Sequence, residues 1–442
     1  MTIRMDEGAA ELLDTLHRAG YAAYVVGGCV RDSLMGLTPH DWDLCTSALP
    51  QQGMELFGEE KCIPTGLQHG TVTVKQGGGL YEITTFRTEG AYTDGRHPDE
   101  VHFVPDVRED LARRDFTINA MAYNAKEGLI DPFGGQADLQ SGILRAVGVP
   151  RQRFTEDALR ILRLYRFAAR FGFAIDPPTA QAAQELCAHL DCVSVERIEE
   201  ELAKLLSAPA PAAYLNEKIL SVVLPELSPE ALAAAKPVVD ACPAGEQALP
   251  VRLAALLLSL GEDGTRRTLR RLRCSNACIE ETAVLVREIV SGVPGAFSSD
   301  TNRAIPSPAL LPAATGSHPS GRSSEKLPAR PPVSLNIYTR KLLGQYGLKT
   351  VQRLAALGTA LQPEHAADFA AFSELAEQLD ADGVCCRVSQ LAVNGRDLMA
   401  AGVPAGPGIR KVLEALLDGV IREEYPNERQ ALLAAVQQLA AS

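Results

Sequence analysis

The chain has 442 residues, of which 46% are hydrophobic and 22% are charged, and this composition excludes a disordered chain and a fibre. Its length is enough for about three domains of ~150 residues each. With 43 lysines and arginines against 55 aspartates and glutamates, the net charge is −12, which excludes a nucleic-acid binder driven by overall positive charge. Any nucleic-acid site must therefore be a local basic patch.

No apolar run approaches the ~20 residues that cross a membrane, and the first 20 residues predict an amphipathic helix rather than a signal peptide. The ten cysteines form no C-x-x-C pair. Cys274 and Cys278 lie four residues apart, but no second cysteine or histidine pair is near enough to complete a zinc site. We therefore predict a cytoplasmic protein with reduced cysteines and no membrane partner.

Up to about residue 149, strand-like runs alternate with helical stretches. Five runs are rich in β-branched and aromatic residues and predict strands. They are YAAYVVGG, KCIPTG, GTVTVKQ, LYEITTF and DEVHFVP. The glycines at 77–79 lie between the third and fourth runs and predict a hairpin turn.

From Thr155 onward the apolar residues recur with the period of a helix, first in EDALRILRLYRFAARFGF, then in TAQAAQELCAHL and SVERIEEELAKLLS. Residues 291–332 break this pattern, because they are rich in proline, serine and glycine. They predict a flexible insertion, since such a composition buries too little apolar surface to offset the entropy of ordering. The sequence thus predicts an α+β fold, with a small N-terminal α/β head followed by a long all-α region.

The first candidate site follows the first predicted strand, in VVGGCVRDSLMG at residues 25–36. Its paired glycines allow a turn that brings the backbone close to another group, and the helix after the turn offers free N–H groups to a phosphate. Gly28 lies in the turn. Arg31, one helical turn later, could add a charged contact to the same phosphates.

Asp41 and Asp43 follow on a strand-like segment, where residues two apart point to the same face. Two carboxylates held this close repel each other unless a cation lies between them, and Mg²⁺ suits such oxygen ligands. The alternative is a loop of solvated carboxylates, but the glycine turn and the arginine upstream favour the metal site. Glu82 is the candidate third carboxylate for two-metal chemistry; alternatively it is an outward-facing strand residue.

The second motif is EDLARRDFTINAMAYN, at residues 109–124. It predicts an apolar helix preceded by Arg113, Arg114 and Asp115. Asp115 either caps that helix, with the arginines on a solvated face, or one of the arginines reaches the triphosphate or ribose of a nucleotide. The residues alone leave both interpretations open.

The third motif is TEDALRILRLYRFAAR, within a segment at 151–170 that carries six arginines against two acidic residues. Every third position from Asp157 onward is charged, namely at Arg160, Arg163 and Arg166. A solvated helix face with an Asp157–Arg160 ion pair would account for this pattern. The alternative is base selection. A carboxylate and a guanidinium match the NH₂ group and ring nitrogen that cytosine and adenine both present, and they mismatch uracil and guanine.

Together these motifs resemble the class II tRNA nucleotidyltransferase and poly(A) polymerase family. The resemblance includes the glycine motif with DWD, then RRDFTINAMAYN, LIDPFGGQADLQSGILRAVG and EDALRILRLYRFAARFGF. It resumes near the end, in LAVNGRDLMAAGVPAGPGIRKVLEALLDGVIREEYPNERQALL. The matches are collinear and run almost unbroken from about Tyr21 to Leu206.

The resemblance implies a polymerase-β-like nucleotidyltransferase head and template-independent addition of CCA to the 3′ end of tRNA from CTP and ATP. It implies that Asp41 and Asp43 hold magnesium and that Gly28 and Arg31 contact the phosphates. Asp157 and Arg160 of the neck would read the base. The full set of residues that would line the nucleotide pocket is Arg114 from the head, and Asp157, Arg160, Arg163 and Arg166 from the neck.

The resemblance also implies a domain order. The head would span 1–149, the nucleotide-selecting neck 150–208, the body 209–290 and 333–380 around the insertion, and the tail 381–442. Body and tail would bind the acceptor and TψC arm of tRNA, by a monomer or a homodimer. Residues 88–98 would be a flexible loop that lets a C-adding site become an A-adding site.

The same family includes poly(A) polymerases and enzymes that add only CC or only A, and these remain alternatives. A non-catalytic RNA-binding protein on a decayed transferase fold is an alternative of another class. The intact Asp41 and Asp43 pair argues against it.

Overall fold

The computed structural model describes residues 3–90, 101–292 and 335–439. The chain divides into two compact units, Met1–Pro225 and Glu226–Ser442. Most of the predicted insertion, and residues 91–98 of the predicted loop, lie outside the described residues.

The first unit contains all the strands of the described part of the chain. They are β1 (Ala23–Val26), β2 (Leu44–Thr46), β3 (Cys62–Gly66), β4 (Thr71–Gln76), β5 (Gly79–Thr85), β6 (Arg87–Glu89), β7 (Val101–Phe103), β8 (Ala122–Asn124), β9 (Gly128–Ile130), β10 (Ile143–Leu144) and β11 (Ala174–Ile175).

Ten helices of this unit lie within the described residues. They are α1 (Glu7–Arg18), α2 (Gly28–Leu34), α3 (Pro50–Phe57), α4 (Val107–Ala112), α5 (Gly135–Ser141), α6 (Pro150–Glu156), α7 (Leu159–Phe171), α8 (Pro177–Glu185), α9 (Val195–Leu206) and α10 (Glu217–Val223).

Seven of the described strands form one mixed sheet in the order β3-β4-β5-β2-β1-β8-β9. Strands β2 and β5 are parallel, and the other neighbours are antiparallel. The predicted hairpin between β4 and β5 is confirmed. Gly77 and Gly78 have φ values of 56° and 84° at its turn, which only glycine adopts without strain.

The sheet is covered on both faces, which explains why β1 is buried at all four positions. On one face, Leu12 and Leu16 of α1 pack with Leu44 and Ile83. On the other face, the core includes Leu111 of α4. The predicted α/β head is therefore confirmed, including the amphipathic helix at its N-terminus, which is α1.

The predicted apolar helix after Asp115 is wrong. A single 3₁₀ turn at Thr117–Asn119 is followed by β8, which pairs with β1 through Val25–Tyr123 and Val26–Ala122. Pairing with a buried strand overrides the helical pattern, because an apolar run buried on both sides does not distinguish strand from helix.

The continuous helix predicted from Thr155 is also wrong. Helix α6 ends at Glu156, and Asp157 is extended, with φ −142° and ψ 104°. The Asp157 carboxylate accepts a hydrogen bond from the Leu159 N–H at the start of α7, as aspartates before helices commonly do. The long all-α region also contains one two-residue strand, β11, which pairs with β10.

The described part of the second unit is helical throughout. Its helices are α11 (Pro229–Ala241), α12 (Leu249–Leu257), α13 (Gly261–Arg271), α14 (Asn276–Ser291), α15 (Leu335–Tyr346), α16 (Leu348–Leu361), α17 (Ala366–Ala381), α18 (Gly395–Ala400), α19 (Pro407–Ile421) and α20 (Arg429–Leu439). The last three share a core of their own, which includes Leu398, Leu416 and Leu432.

None of the helices within the described ranges is long and apolar enough to cross a membrane. All ten cysteines are free thiols.

Candidate active site in the first unit

The glycine turn lies where β1 ends and α2 begins. Gly27 has φ 79° and ψ −122°, and its N–H donates to the Met121 carbonyl at 3.0 Å. A Cβ atom at this position would lie 2.8 Å from Nη1 of Arg114. The absence of a side chain therefore allows the Arg114 guanidinium to lie against the turn, beside Gly28.

The three candidate carboxylates lie on one face of the sheet. Trp42, which separates Asp41 from Asp43 in the sequence, is buried, whereas both aspartates are exposed. Because successive residues of an extended segment point to opposite sides, the two aspartates point to the same, solvent-facing side. Parallel pairing of β2 with β5 sets Leu44 opposite Ile83, which brings Asp43 to the level of Glu82. Within the described part of the chain, these three carboxylates form no ion pair and accept no hydrogen bond from another side chain.

Electrostatics reveals how the carboxylates influence one another. The pKa of the Asp43 carboxyl is raised, mainly because the surrounding protein weakens its hydration, and further because Glu82 and Asp41 repel its charge. The positive charge of Arg114 opposes this effect. Within the described ranges, no group of three or more His, Cys, Asp or Glu side chains is arranged so that it could hold a metal ion.

Arg31 lies at the turn but is bound on the inside of the protein. Its Nε donates to Asp32 at 2.8 Å and its Nη1 donates to the Asn119 side chain at 2.5 Å. The guanidinium also lies over the Phe167 and Phe171 rings, at 5.3 and 5.0 Å from their centroids. Its Nη2 would be 3.6 Å from a Cβ at Gly28, so this nitrogen still borders the turn.

Asn119 connects Arg31 to Asp115. Its side-chain Nδ2 donates to Asp115 Oδ1 at 3.1 Å, and Arg163 donates to Asp115 Oδ2 through Nε and Nη2 at 2.9 and 2.7 Å. Burial by itself would raise the pKa of Asp115, but the Arg163 charge and these hydrogen bonds lower it to about 2. Asp115 is thus a buried anchor for Arg163 and not a helix cap.

The Asp157–Arg160 ion pair, which was the alternative to base selection, does not form in the described structure. Asp157 instead forms an ion pair with Arg197 of α9, at 2.8 Å between Oδ2 and Nη2. Arg160 binds Glu156 at 2.7 Å and donates to the Arg113 carbonyl at 3.0 Å. The cause is the break before α7, which removes Asp157 from the helical register of Arg160.

Arg163 and Arg166 share a carboxylate on α9. Arg166 Nε lies 2.6 Å from Glu201 Oε2, and Arg163 Nη1 lies 3.7 Å from Oε1. Arg166 also covers the Phe167 ring at 3.8 Å from its centroid. Burial lowers the pKa of Arg166 to about 10, although the Glu201 charge opposes the change.

The arginine face of α7 is therefore not a solvated one, because Arg160 and Arg166 are each only 9% exposed. Five partners of the predicted site residues escaped the sequence analysis: Asn119, Asp115 as an ion-pair partner, Phe167, Arg197 and Glu201. Asp115, Asn119 and Phe167 lie within the quoted motifs, but their spacing does not mark them as partners of the site residues. Arg197 and Glu201 lie more than 30 positions from the side chains that they bind, on an ordinary amphipathic helix.

Comparison with known proteins defines the class. Residues 23–145 match the poly A polymerase head domain, and residues 337–436 match domain 2 of tRNA nucleotidyltransferase. Residues 172–230 match a region described as the probable RNA and SrmB binding site of polymerase A. With the glycine turn and the carboxylates on its head sheet, the chain is a nucleotidyltransferase.

Relatives along the whole chain define the family. The chain is 35% identical to the CCA-adding enzyme of Lactiplantibacillus plantarum, over 97% of this chain and 95% of that protein. It is 34% identical to that of Geobacillus thermodenitrificans, over 96% and 95%. The solved Bacillus stearothermophilus CCA-adding enzyme in complex with CTP is 30% identical, with a TM-score of 0.78, covering 99% of this chain and 98% of that one. The chain belongs to the CCA-adding enzyme family.

Proposed function

We propose that this chain builds and repairs the 3′-terminal CCA of tRNA, using CTP and ATP without a nucleic-acid template. One observation carries the proposal: three carboxylates, to which no described side chain gives a hydrogen bond or an ion pair, lie on one face of the sheet whose strand β1 leads into the glycine turn, in a chain of the CCA-adding family. In this reaction the 3′-hydroxyl of the tRNA attacks the α-phosphate, and pyrophosphate leaves.

We infer that Asp41 and Asp43 hold Mg²⁺, with Glu82 as the third carboxylate of the site. The donor set fits the ion, because these are oxygen ligands with which no described side chain forms an ion pair. The pKa of Asp43 is raised mainly by weakened hydration and further by the charges of Glu82 and Asp41, so a cation there would relieve an unfavourable arrangement. Bound Mg²⁺ would activate the attacking hydroxyl and stabilise the charge of the leaving pyrophosphate. The protein's own contribution is to place Asp43, directly before β2, at the level of Glu82 on the parallel strand β5.

The triphosphate would lie against the glycine turn. Gly28 leaves room for it, and Arg114, which touches Gly27, supplies positive charge between the turn and Asp43. Arg31 would contact the phosphates through the nitrogen that borders Gly28 and would hold the start of α2 through Asp32 and Asn119.

The base would be read by Asp157 and Arg160, with Arg163 and Arg166 lining the pocket. The Asp157 carboxylate would accept a hydrogen bond from the NH₂ group of cytosine or adenine. Arg160 supplies the donor for the adjacent ring nitrogen. The two need no direct contact with each other for this task, since each is fixed by another partner, Asp157 by Arg197 and Arg160 by Glu156.

We place tRNA binding, to the acceptor and TψC arm, on the body and tail of the proposed domain order. The tail residues 381–442 present exposed arginines at Arg410, Arg422 and Arg429, although each also pairs with a nearby carboxylate. A cytoplasmic location and a monomer or homodimer complete the proposal, on the grounds of the sequence alone.

Incorporation of labelled nucleotides tests the proposal directly. Transcripts of one tRNA that lack the last three, two or one nucleotides are incubated with labelled CTP, ATP, UTP and GTP, separately and combined. We expect C addition to the two shorter forms, A addition only after CC is complete, and no extension of full-length tRNA.

The alternatives give different products. A poly(A) polymerase would add repeated A residues, and a CC-adding or A-adding enzyme would complete only its own step. A non-catalytic RNA-binding protein would bind the transcripts and extend none of them. Any of these results would contradict the proposal.

A further inference from the structure

Helix α13 of the second unit contains a concentration of positive charge that the catalytic site does not use. Residues 264–279 carry five arginines and no aspartate or glutamate, in a chain whose net charge is −12. The same segment has no aromatic residue, so it offers charge without a surface on which a base could stack.

Packing orients this helix with its arginines outward. Thr265, Thr268 and Leu269 are fully buried, whereas Arg267 and Arg270 on the opposite side are exposed. Residues three apart on a helix are surface neighbours, so these two guanidiniums can reach adjacent groups of one ligand. Arg273 extends the exposed basic surface just beyond the end of the helix.

Two arginines of the same helix are already neutralised. Arg266 binds Glu262 at 3.0 Å and Glu280 at 2.5 Å, and Arg271 binds Glu226 at 2.7 Å. The pairs with Glu280 and Glu226 connect α13 to its neighbours, and the carboxylates offset the charges of Arg266 and Arg271.

Arg267 and Arg270 differ from them, because neither forms an ion pair or a side-chain hydrogen bond anywhere in the described ranges. Arg270 interacts only through space, as a minor cause of the lowered pKa of Glu280 after Arg266. Elsewhere in this unit, arginines of α15 and α16 are paired, as Arg340 is with Glu423 and Arg353 with Glu281. Arg267 and Arg270 therefore place two guanidinium groups, without a described ion-pair partner, on one face of α13.

We propose that this face, defined by Arg267 and Arg270, binds backbone phosphates of the tRNA substrate. The inference rests on the proposed function, which assigns tRNA binding to the body and tail, and it names the side chains of the body that would hold the phosphates. Guanidinium groups suit phosphate oxygens in charge and geometry. Contacts to the backbone alone carry no sequence information, as an enzyme acting on tRNAs of different sequence requires.

The salt dependence of tRNA binding tests this inference in the full-length protein. The logarithm of the association constant for tRNA falls linearly with the logarithm of the salt concentration, and each lost phosphate contact reduces the magnitude of this slope by about 0.7–0.9. The double variant R267Q, R270Q should therefore reduce the magnitude of the slope by about 1.5. We expect ~10-fold weaker binding near 0.1 M salt and a matching rise in KM for tRNA. The kcat at saturating tRNA and the KM for CTP should not change.

Two control variants test whether weaker tRNA binding comes from the loss of positive charge at this face. Arg4 and Arg18 are exposed arginines of the first unit, so R4Q with R18Q removes the same charge from another surface. This variant should bind tRNA as wild type does. R267K with R270K keeps the charge and should restore most of the affinity, which excludes misfolding as the cause.

An unchanged slope and affinity in the R267Q, R270Q protein would overturn the inference while leaving CCA addition intact. Equal loss of affinity in the R4Q, R18Q control would overturn it as well, because the effect would then be one of net charge. Failure of the wild-type enzyme to extend any tRNA would refute the proposed function instead, and the salt slope would still test the basic face.

Discussion

Asp157 is bound by Arg197, through Nη2 at 2.8 Å and a second, longer contact from Nη1 to Oδ1 at 3.4 Å. The two residues lie 40 positions apart, on the segment before α7 and on α9. These two contacts fix the orientation of the Asp157 carboxylate. A residue that reads a base by accepting hydrogen bonds needs a fixed orientation.

The first prediction follows from this ion pair. Arg197→Met should free the Asp157 carboxylate and reduce discrimination against UTP and GTP about 10-fold, because one oriented hydrogen bond is worth ~1–3 kcal/mol. Arg197→Lys should retain part of the discrimination. The measurement is kcat/KM for all four nucleotides on tRNA lacking its CCA, alongside a melting curve.

Asp157→Ala is the comparison for this experiment, since it removes the acceptor itself and should also slow addition of C and A. Loss of thermal stability with unchanged nucleotide ratios in both variants would mean that the pair only stabilises the fold. Arg151→Ala is the matched control, because its pair with Glu185 is largely exposed and should alter neither quantity.

The second prediction concerns pH. The pKa of Asp115 is about 2 in the folded protein against an ordinary value of 3.8, so its folded state favours the charged form. This stabilisation is complete above pH ~4 and is lost as the pH falls toward 2; the shift corresponds to about 2 kcal/mol. The gap between the melting temperatures of wild type and Asp115→Asn should therefore narrow between pH 5 and 3. A gap that is constant over this range would show that the carboxylate charge is not stabilising.

The third prediction concerns Arg145, which joins two buried carboxylates. Its Nε lies 3.1 Å from Asp138 and its Nη1 lies 2.5 Å from Asp176, which caps α8. Arg145→Met should destabilise the first unit by about 1–3 kcal/mol, because both carboxylates lose a charged partner. The free energies of unfolding of Arg145→Met and of the control Arg151→Ala are measured by denaturant unfolding and compared. Equal stability of these two variants would contradict the bridging role.

The fourth prediction concerns the tail. Its helices share their own core, around Leu398 and Leu416, so deletion of residues 381–442 should leave the first unit folded. The truncated protein should bind CTP and ATP with near-normal affinity and bind tRNA at least 10-fold more weakly. Calorimetry with nucleotides and filter binding with tRNA measure the two affinities. Unchanged tRNA affinity would remove the tail from the RNA-binding surface.

The sequence predicts the elements of the head well, because their signals are local. Alternation in LYEITTF and the glycines at 77–79 define β5 and its hairpin without reference to the rest of the chain. The prediction fails at β8, whose apolar residues suit a helix as well as a strand. Pairing with β1 makes this segment a strand, and because β1 lies about 100 positions away, no pattern within the segment itself indicates the pairing.

The candidate site likewise contains residues that the sequence predicts and residues that it does not. The spacing of Asp41 and Asp43 is sufficient to predict them as a pair, since they lie two positions apart on one strand-like segment. The partners of the neck residues depend on the packing of α7 against α9, which places Arg197 and Glu201 beside α7. The break at Asp157 is decided by a hydrogen bond to the Leu159 N–H that competes with the continuous helix.

The most direct test of the central claim is the rate of both nucleotide additions by a single variant, Asp43→Asn. If one carboxylate site performs every step, C addition and A addition should both fall at least 100-fold, while tRNA binding stays near that of wild type. Retention of more than a tenth of the wild-type rate in either addition would contradict the account.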